Sequence, residues 1–528
     1  MSDNLEMSQN YDKKPGPIVS VLISTFNRPR YLSEALASVF RQSYTNLQII
    51  VVNDGGEDVS SVIDSFDDPR LTFINRKRNR GLAFSLNEAL GQAKGKYIAY
   101  LGDDDLYYPN HIETLVRALE EQTDCRVAYS DLYKTCCRVL PDGNRQVLSK
   151  VVEVSRDFDR FFMLYFNHVL HVSLMHRRDL LEKTGPYNEE LNVLIDWDMT
   201  KKLAFFADFH HVHAITGEFY SPVGDCDRIS VQQRKDKDNY VRNVLAIRTT
   251  RPAKPWPKIK DLSVILTLDR LDDQVGKTIG YIWRHTFYPY KLYLPIPQHC
   301  FDKINTDMPN LVCVPVGASA NTSRQVDAAL NECEGQYIAI VPSGFPIDEM
   351  WAEDALYGLM NASAGAQAIE LENSKNGLWA AVIAKDDLRY ARKTFPDLPL
   401  RQSLEAAGIV VRKLRPEEIP FQFDSLLKEG KLAQEDGNWL RAAEIFQYTA
   451  DHYQNRLWMK MLAANAFFKA GYHKKAAELS SEINRDRPTV DTLLLEAKVK
   501  REQEDIPSAI ELLETAEGIL EPDELLWT

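Results

Sequence analysis

The chain has 528 residues, 44% hydrophobic and 26% charged, with a formal charge of −13. That length exceeds one ordinary core and predicts three or four domains, and the acidic balance with no basic stripe excludes nucleic acid as the main partner. Seven scattered cysteines show neither a disulfide framework nor paired C-x-x-C spacing, and no apolar run is long enough for a transmembrane segment or a signal h-region, so a reduced, cytoplasmic protein is expected.

In chain order, a polar and disordered lead (1–16) comes first. Val19 to Ser24 reads as a β-rich strand running into the polar loop STFNR, and RYLSEALASVFRQSY follows with helical spacing of apolar residues. LQIIVVNDGG is a second buried strand that ends on Asn53, Asp54 and two glycines. Leu71 to Ile74 makes a short third strand, RGLAFSLNEALGQA a helix, and Tyr97 to Leu101 a fourth strand delivering Asp103, Asp104 and Asp105 at its C-terminal end. Strands alternating with helices predict an α/β fold with a parallel-rich sheet, whose ligand sites open at the C-terminal strand ends. Three adjacent carboxylates repel one another unless they are solvated or neutralised. A divalent cation resolves the crowding; a solvated Asp-rich turn is the plainer reading of an isolated run.

The motifs ISTFNRPRYLSEALASVFRQSY, IIVVNDGG, NRGLAFSLNEAL and GKYIAYLGDDDLYYP, in that order and spacing, resemble the nucleotide-sugar half of family 2 glycosyltransferases of the GT-A fold. The resemblance covers roughly the first half of the chain. It implies a Rossmann-like nucleotide-sugar-binding domain in which Thr25, Asn27, Arg28, Asp54, Asn87 and Asp103 bind a nucleoside-diphosphate sugar, a UDP-sugar first. It further implies Mn2+ or Mg2+ held by Asp104 and Asp105 in the D-x-D region. Many members carry their first carboxylate where this chain has Gly102. With four motifs agreeing, the solvated-turn reading gives way.

Past Asp131 the acceptor half begins. Its histidines, His168, His171 and His176 and then His210, His211 and His213, do not form a tidy ligand set, and they are read as core or pocket-lining groups instead of zinc ligands. The stretch IDWD resembles the family's E-D-W-D signature, with Ile195 in place of the Glu. It implies Asp196 as catalytic base in an inverting transfer to a hydroxyl of a glycan or protein, with Asp198 as structural partner; helix capping is the alternative for an Asp at a helix start. Arg228, in the closing loop of the domain, is read either as a diphosphate contact or as a surface arginine.

A proline-rich linker (251–258) separates this first domain (17–250) from an internal repeat. DLSVILTLDR echoes VSVLISTFNR, and VDAALNECEGQYIAI echoes LNEALGQAKGKYIAY at an offset of 240 residues. Pro342, Ser343 and Gly344 stand where the first copy has Gly102, Asp103 and Asp104, so 259–415 reads as a degenerate GT-A-like domain without a cation site; a second active site with different chemistry is the alternative. In 416–528 the segments DGNWLRAAEIF, AGYHKKAAELS and QEDIPSAIELL repeat every 33 to 34 residues and resemble tetratricopeptide repeats, all-α, implying a protein partner or homo-oligomer contact. Two other functions fit parts of the pattern. A non-enzymatic scaffold requires loss of the carboxylates, which occurs only in the second copy; nucleotidyl transfer requires a glycine-rich basic loop, and ISTFNRPR has no glycine.

Overall fold

A computed structural model of the chain describes residues 16–520 except 123, 153–154, 224–235, 305–309, 349, 361–364, 372–377, 415–421, 453–456 and 487. The lead up to residue 15 and Arg228 lie outside the described residues. In the first unit the elements run β1 (Val19–Thr25), α1 (Pro29–Phe40), β2 (Leu47–Asn53), α2 (Ser60–Asp64), β3 (Leu71–Asn75), α3 (Leu82–Gln92), β4 (Tyr97–Gly102), β5 (Leu106–Tyr107) and α4 (His111–Glu121). There follow β6 (Val127–Val139), β7 (Arg145–Val151), α5 (Arg160–Tyr165), β8 (Leu174–Arg177), α6 (Leu181–Thr184), α7 (Ile195–Ala204), β9 (Phe209–Pro222) and α8 (Lys237–Thr249).

The sheet order is β3-β2-β1-β4-β8-β6-β9-β5, with β7 on β6. β1 pairs in parallel with β2 and β4, Val19 facing Leu47 and Tyr97. β1, β2 and β4 are buried along nearly their whole length, as strands covered on both faces must be. Their carboxyl ends open at one edge, and β1 divides the chain's winding direction there, the position at which α/β sheets bind ligands.

The second unit repeats this arrangement. β10 (Leu262–Thr267), α9 (Asp273–His285), β11 (Tyr290–Ile296), β12 (Leu311–Pro315), α10 (Thr322–Glu332) and β13 (Tyr337–Pro342) lead to α11 (Trp351–Met360), β14 (Ala368–Leu371), β15 (Ala380–Ala384), α12 (Lys385–Thr394), α13 (Leu400–Ala406) and β16 (Val411–Lys413). Its order, β12-β11-β10-β13-β15-β14-β16, and its strand directions match those of the first sheet from β3 to β9. Even a local detail recurs: Gly95 N–H donates to Ser20 Oγ and Gly335 N–H to Ser263 Oγ, each at 2.9 Å. The two units share apolar contacts, Phe161 stacking on Tyr288 with centroids 5.5 Å apart.

The C-terminal region forms three helical hairpins: α14 (Gln422–Glu435) with α15 (Trp439–His452), α16 (Leu457–Lys469) with α17 (His473–Asp486), and α18 (Val490–Glu502) with α19 (Ile506–Leu520). Ala442, Ala476 and Ala509 are buried at equivalent places, where small side chains let helices approach. The hairpin bends at Gly437, Gly471 and Glu504 all have positive φ, of 73°, 84° and 64°. A glutamate there suffers the Cβ clash that the two glycines avoid. Glu504→Gly is therefore expected to raise stability by about 1 kcal/mol, read as a higher denaturation midpoint in urea at unchanged slope; a lower midpoint contradicts the assignment of strain. The last hairpin packs on the first unit, Tyr133 Oη donating to Pro488 O at 3.1 Å. No helix among the described residues is long and apolar enough to cross a membrane.

Candidate active site

The carboxylate cluster is organised by the loop after β1. Thr25 Oγ1 donates to Asp103 Oδ2 at 2.8 Å, and Arg28 Nη1 donates to Asp103 Oδ1 and Asp104 Oδ2, each at 3.1 Å. Thr25, Arg28, Asp103 and Asp104 are thus brought together at the adjacent carboxyl ends of β1 and β4, as the motif order implied. Burial first, then the charge of Asp104, pushes the Asp103 carboxyl up to about 7 against the pull of Arg28 and Thr25. Arg28 pairs with both carboxylates and Arg145 feels the Asp104 charge, and hard carboxylate oxygens of this kind suit Mg2+ or Mn2+.

Asp105 has a backbone partner of its own. Its Oδ1 accepts Tyr220 N–H at 3.1 Å, tying the 103–107 turn to β9, and a Cβ at position 102 would lie 2.6 Å from its Oδ2. That bond gives the buried Asp105 carboxylate a part in holding the turn, beside Asp103 and Asp104 at the strand end. A side chain at position 102 would therefore press on the Asp105 carboxylate.

Asp54 and Asn87 are likewise engaged by the chain itself. Asp54 Oδ1 accepts from Arg76 Nη1 at 2.8 Å and Arg80 N at 2.9 Å, and Oδ2 accepts from Gly81 N at 2.8 Å. Three of about four acceptor positions are filled, so Asp54 shapes the 76–81 segment beside the loop. Asn87 exchanges hydrogen bonds with the backbone of Tyr187 and donates to Glu189 at 2.9 Å, fastening α3 to the stretch before α7. Asn27 adopts φ 58° and its Oδ1 accepts Glu57 N–H at 2.8 Å, joining the first loop to the second.

Asp196 lies in the first turn of α7. Asn167 Nδ2 donates to its Oδ2 at 2.9 Å, and burial raises its pKa above the ordinary carboxylate range. The N-cap residue, Leu194, makes no side-chain cap bond, and backbone N–H groups of the first turn, those of Trp197 and Asp196, oppose the rise. Leu194, immediately before the helix, sits at φ 58°, a costly conformation for a branched residue and of the kind that concentrates at functional sites. Asp198 is fully buried and pairs with Lys202 at 2.5 Å, a structural role. Tyr100 on β4 meets Tyr187 edge-on at 6.1 Å, and burial above all, then Tyr100 and to a lesser degree the Asp196 charge, raise the Tyr187 pKa.

Burial lowers His171 to about 3 and His176 to about 4. They bond Tyr187 and Tyr100 hydroxyls, each at 2.8 Å, and are neutral core groups as expected. Sequence reasoning missed Asn167 and Arg145. Arg145, at the start of β7, donates to Asp104 O at 2.7 Å, pairs with Glu34 and lies over the Tyr220 ring at 3.5 Å. Neither has a local signature; both reach the site through hairpin or loop geometry.

Residues 20–171 match the family model described as Glycosyl transferase family 2. An uncharacterized glycosyltransferase of Rickettsia typhi is 32% identical over 206 residues, covering 38% of this chain and 62% of the relative. Another, of Methanocaldococcus jannaschii, is 30% identical over 189 residues, covering 34% of this chain and 63% of the relative. The chain thus spans less than two thirds of the length of these relatives. Among solved structures, S. aureus TarS 1-349 in complex with UDP-GlcNAc aligns over 44% of this chain and 66% of that chain, at 18% identity and a TM-score of 0.34. The family match and the named relatives support a glycosyltransferase.

Proposed function

We propose that residues 17–250 transfer a sugar, with inversion, from a nucleoside-diphosphate donor, a UDP-sugar in the first instance, to a hydroxyl of a glycan or protein. The observation that carries this reading is the pairing of Asp103 and Asp104 under Arg28 at the β1 and β4 ends, in a unit that also holds the half-buried, raised-pKa Asp196 at the start of α7. Thr25, Asn27 and Arg28 form the donor edge, and Asp54 and Asn87 support it by holding the 76–81 and 187–189 segments. Asp103 and Asp104 would hold Mn2+ or Mg2+, whose Lewis acidity neutralises a leaving diphosphate. Asp196, oriented by Asn167, accepts the proton of the acceptor hydroxyl as that oxygen attacks. A displacement of this kind needs no covalent nucleophile on the protein.

Residues 259–415 are read as a non-catalytic copy, supported by the shared strand order and by Ser343 and Gly344 in the places of Asp103 and Asp104. The hairpin tail, 416–528, is read as tetratricopeptide-like and as a surface for a protein acceptor or for a second copy of the chain. Calorimetric titration of the full chain with a panel of nucleotide sugars, with and without Mn2+, tests the donor reading. Saturable binding of one UDP-sugar that weakens at least about tenfold on cation removal is expected; the absence of cation-dependent binding across the panel contradicts it.

A further inference from the structure

A second group of ligating side chains lies in the acceptor half, on β6 and β9. Ligand atoms of Asp131, His211 and His213 all fall within 4.8 Å of one another, and a fourth residue, Asp157, reaches both histidines. We propose that His211, His213 and Asp157, backed by Asp131, form a binding site for a divalent transition ion of zinc type. This proposal is independent of the glycosyltransferase reading, which uses none of these residues.

Strand periodicity supplies the first step. Residues two apart on a strand share a face, so β9 presents His211 and His213 together. Their rings are 4.2 Å apart. His211 Nδ1 lies 2.8 Å and His213 Nε2 lies 3.0 Å from the same oxygen, Asp157 Oδ1. Each nitrogen-to-oxygen separation approaches the edge of a tetrahedral zinc shell, about 3.3 Å for metal–ligand bonds near 2.0 Å.

The remaining nitrogen of His211 faces Asp131 Oδ1 at 2.8 Å, and Asp131 is 1% exposed. A carboxylate behind a ligating imidazole fixes the tautomer and strengthens the donor, the usual outer support of zinc-bound histidine. Ser155 Oγ donates to the other Asp131 oxygen at 3.2 Å, and Tyr129 stacks on His211 at 4.6 Å with 3° between planes. Both lock the ring in place.

Strand register gives a separate indication. Ser130 pairs with Val212 but Asp131 pairs with Ile215, so His213 and Ala214 are extra residues opposite a single step of β6. A bulge re-aims side chains, and here it coincides with the second imidazole. His213 is exposed, leaving room for water as a fourth ligand.

Such an ion would staple the 155–159 segment to β9. Phe158 stacks on Phe209 at 4.3 Å and Asp159 caps α5 through Phe162 N–H, so the staple would order the stretch that leads to Asn167.

The test uses the full chain stripped with a chelator and titrated with zinc against a competing chromophoric chelator, in wild type and in His213→Ala. The exposed His213 can be removed without emptying a core site, and Asp157→Asn serves as a second variant of the same kind. Wild type is expected to bind one equivalent that either variant weakens by about a hundredfold, with a zinc-induced rise in Tm seen in wild type alone. Cobalt in place of zinc should give the intense visible absorption of a tetrahedral site, lost in His213→Ala. Equal zinc affinity in wild type and both variants, or no binding by wild type, overturns the proposal.

Discussion

Replacing Asp196 by Asn is expected to lower kcat by at least about a hundredfold, the scale of general-base catalysis, while donor binding persists. The amide is nearly isosteric and presents an oxygen to Asn167 Nδ2 where the carboxylate does, so the α7 start keeps its shape. What it loses is the ability to accept a proton. The fall should appear in kcat with donor KM little changed, because the base acts on the acceptor and contributes nothing to holding the donor before reaction.

The raised pKa of Asp196 gives the same prediction a pH signature. Burial disfavours the ionised form, so the base is inactivated by protonation at a higher pH than a free aspartate would be. In wild type kcat should decline as pH falls through that raised value, and the acid limb should vanish from the residual activity of Asp196→Asn. The product anomer, read by NMR, should be inverted relative to the donor. Retention of configuration contradicts a single displacement assisted by Asp196.

The second large effect concerns Asp104. Asp104→Ala is expected to abolish cation-dependent donor binding and to leave the fold intact. Removing this carboxylate deletes the like charge that helps push Asp103 up to about 7, and it frees Arg28 to pair with Asp103 alone. Stability should therefore hold or rise slightly while the cation loses one of two ligands. Calorimetry with Mn2+ and the donor checks this, and unchanged affinity would remove Asp104 from the site.

Much of the architecture was readable in local pattern. The buried runs Val19 to Ser24, Leu47 to Asn53 and Tyr97 to Leu101 are strands because continuous apolar stretches between polar loops leave little alternative, and the structure has all three paired in parallel. The 240-residue echo anticipated a second α/β sheet; the matching Gly95–Ser20 and Gly335–Ser263 contacts are seen only in the structure. Repeat spacing placed Gly437, Gly471 and Glu504 in register before their shared positive φ was known.

Side-chain partnerships were less legible. The bonds that Asp54 and Asn87 take from Arg76, Gly81 and Tyr187 could not be read from the sequence, since none of these is a close sequence neighbour. Asp105 is indistinguishable from Asp103 and Asp104 in the sequence; only the approach of β9, through Tyr220 N–H, separates it. The pair His211 and His213 was passed over as pocket lining. An H-x-H on a strand carries meaning only once the strand, its bulge and the distant Asp157 are known.

The most direct test of the central claim is release of nucleoside diphosphate from a panel of nucleotide sugars by the full chain, with Mn2+ or Mg2+ and after chelation, in wild type and in Asp196→Asn. The account predicts that wild type releases UDP from one UDP-sugar only when the cation is present, accelerated by a hydroxyl acceptor, and that Asp196→Asn loses the acceptor-dependent part. Equal release by wild type and Asp196→Asn in the presence of acceptor, or release that survives chelation unchanged, would contradict it.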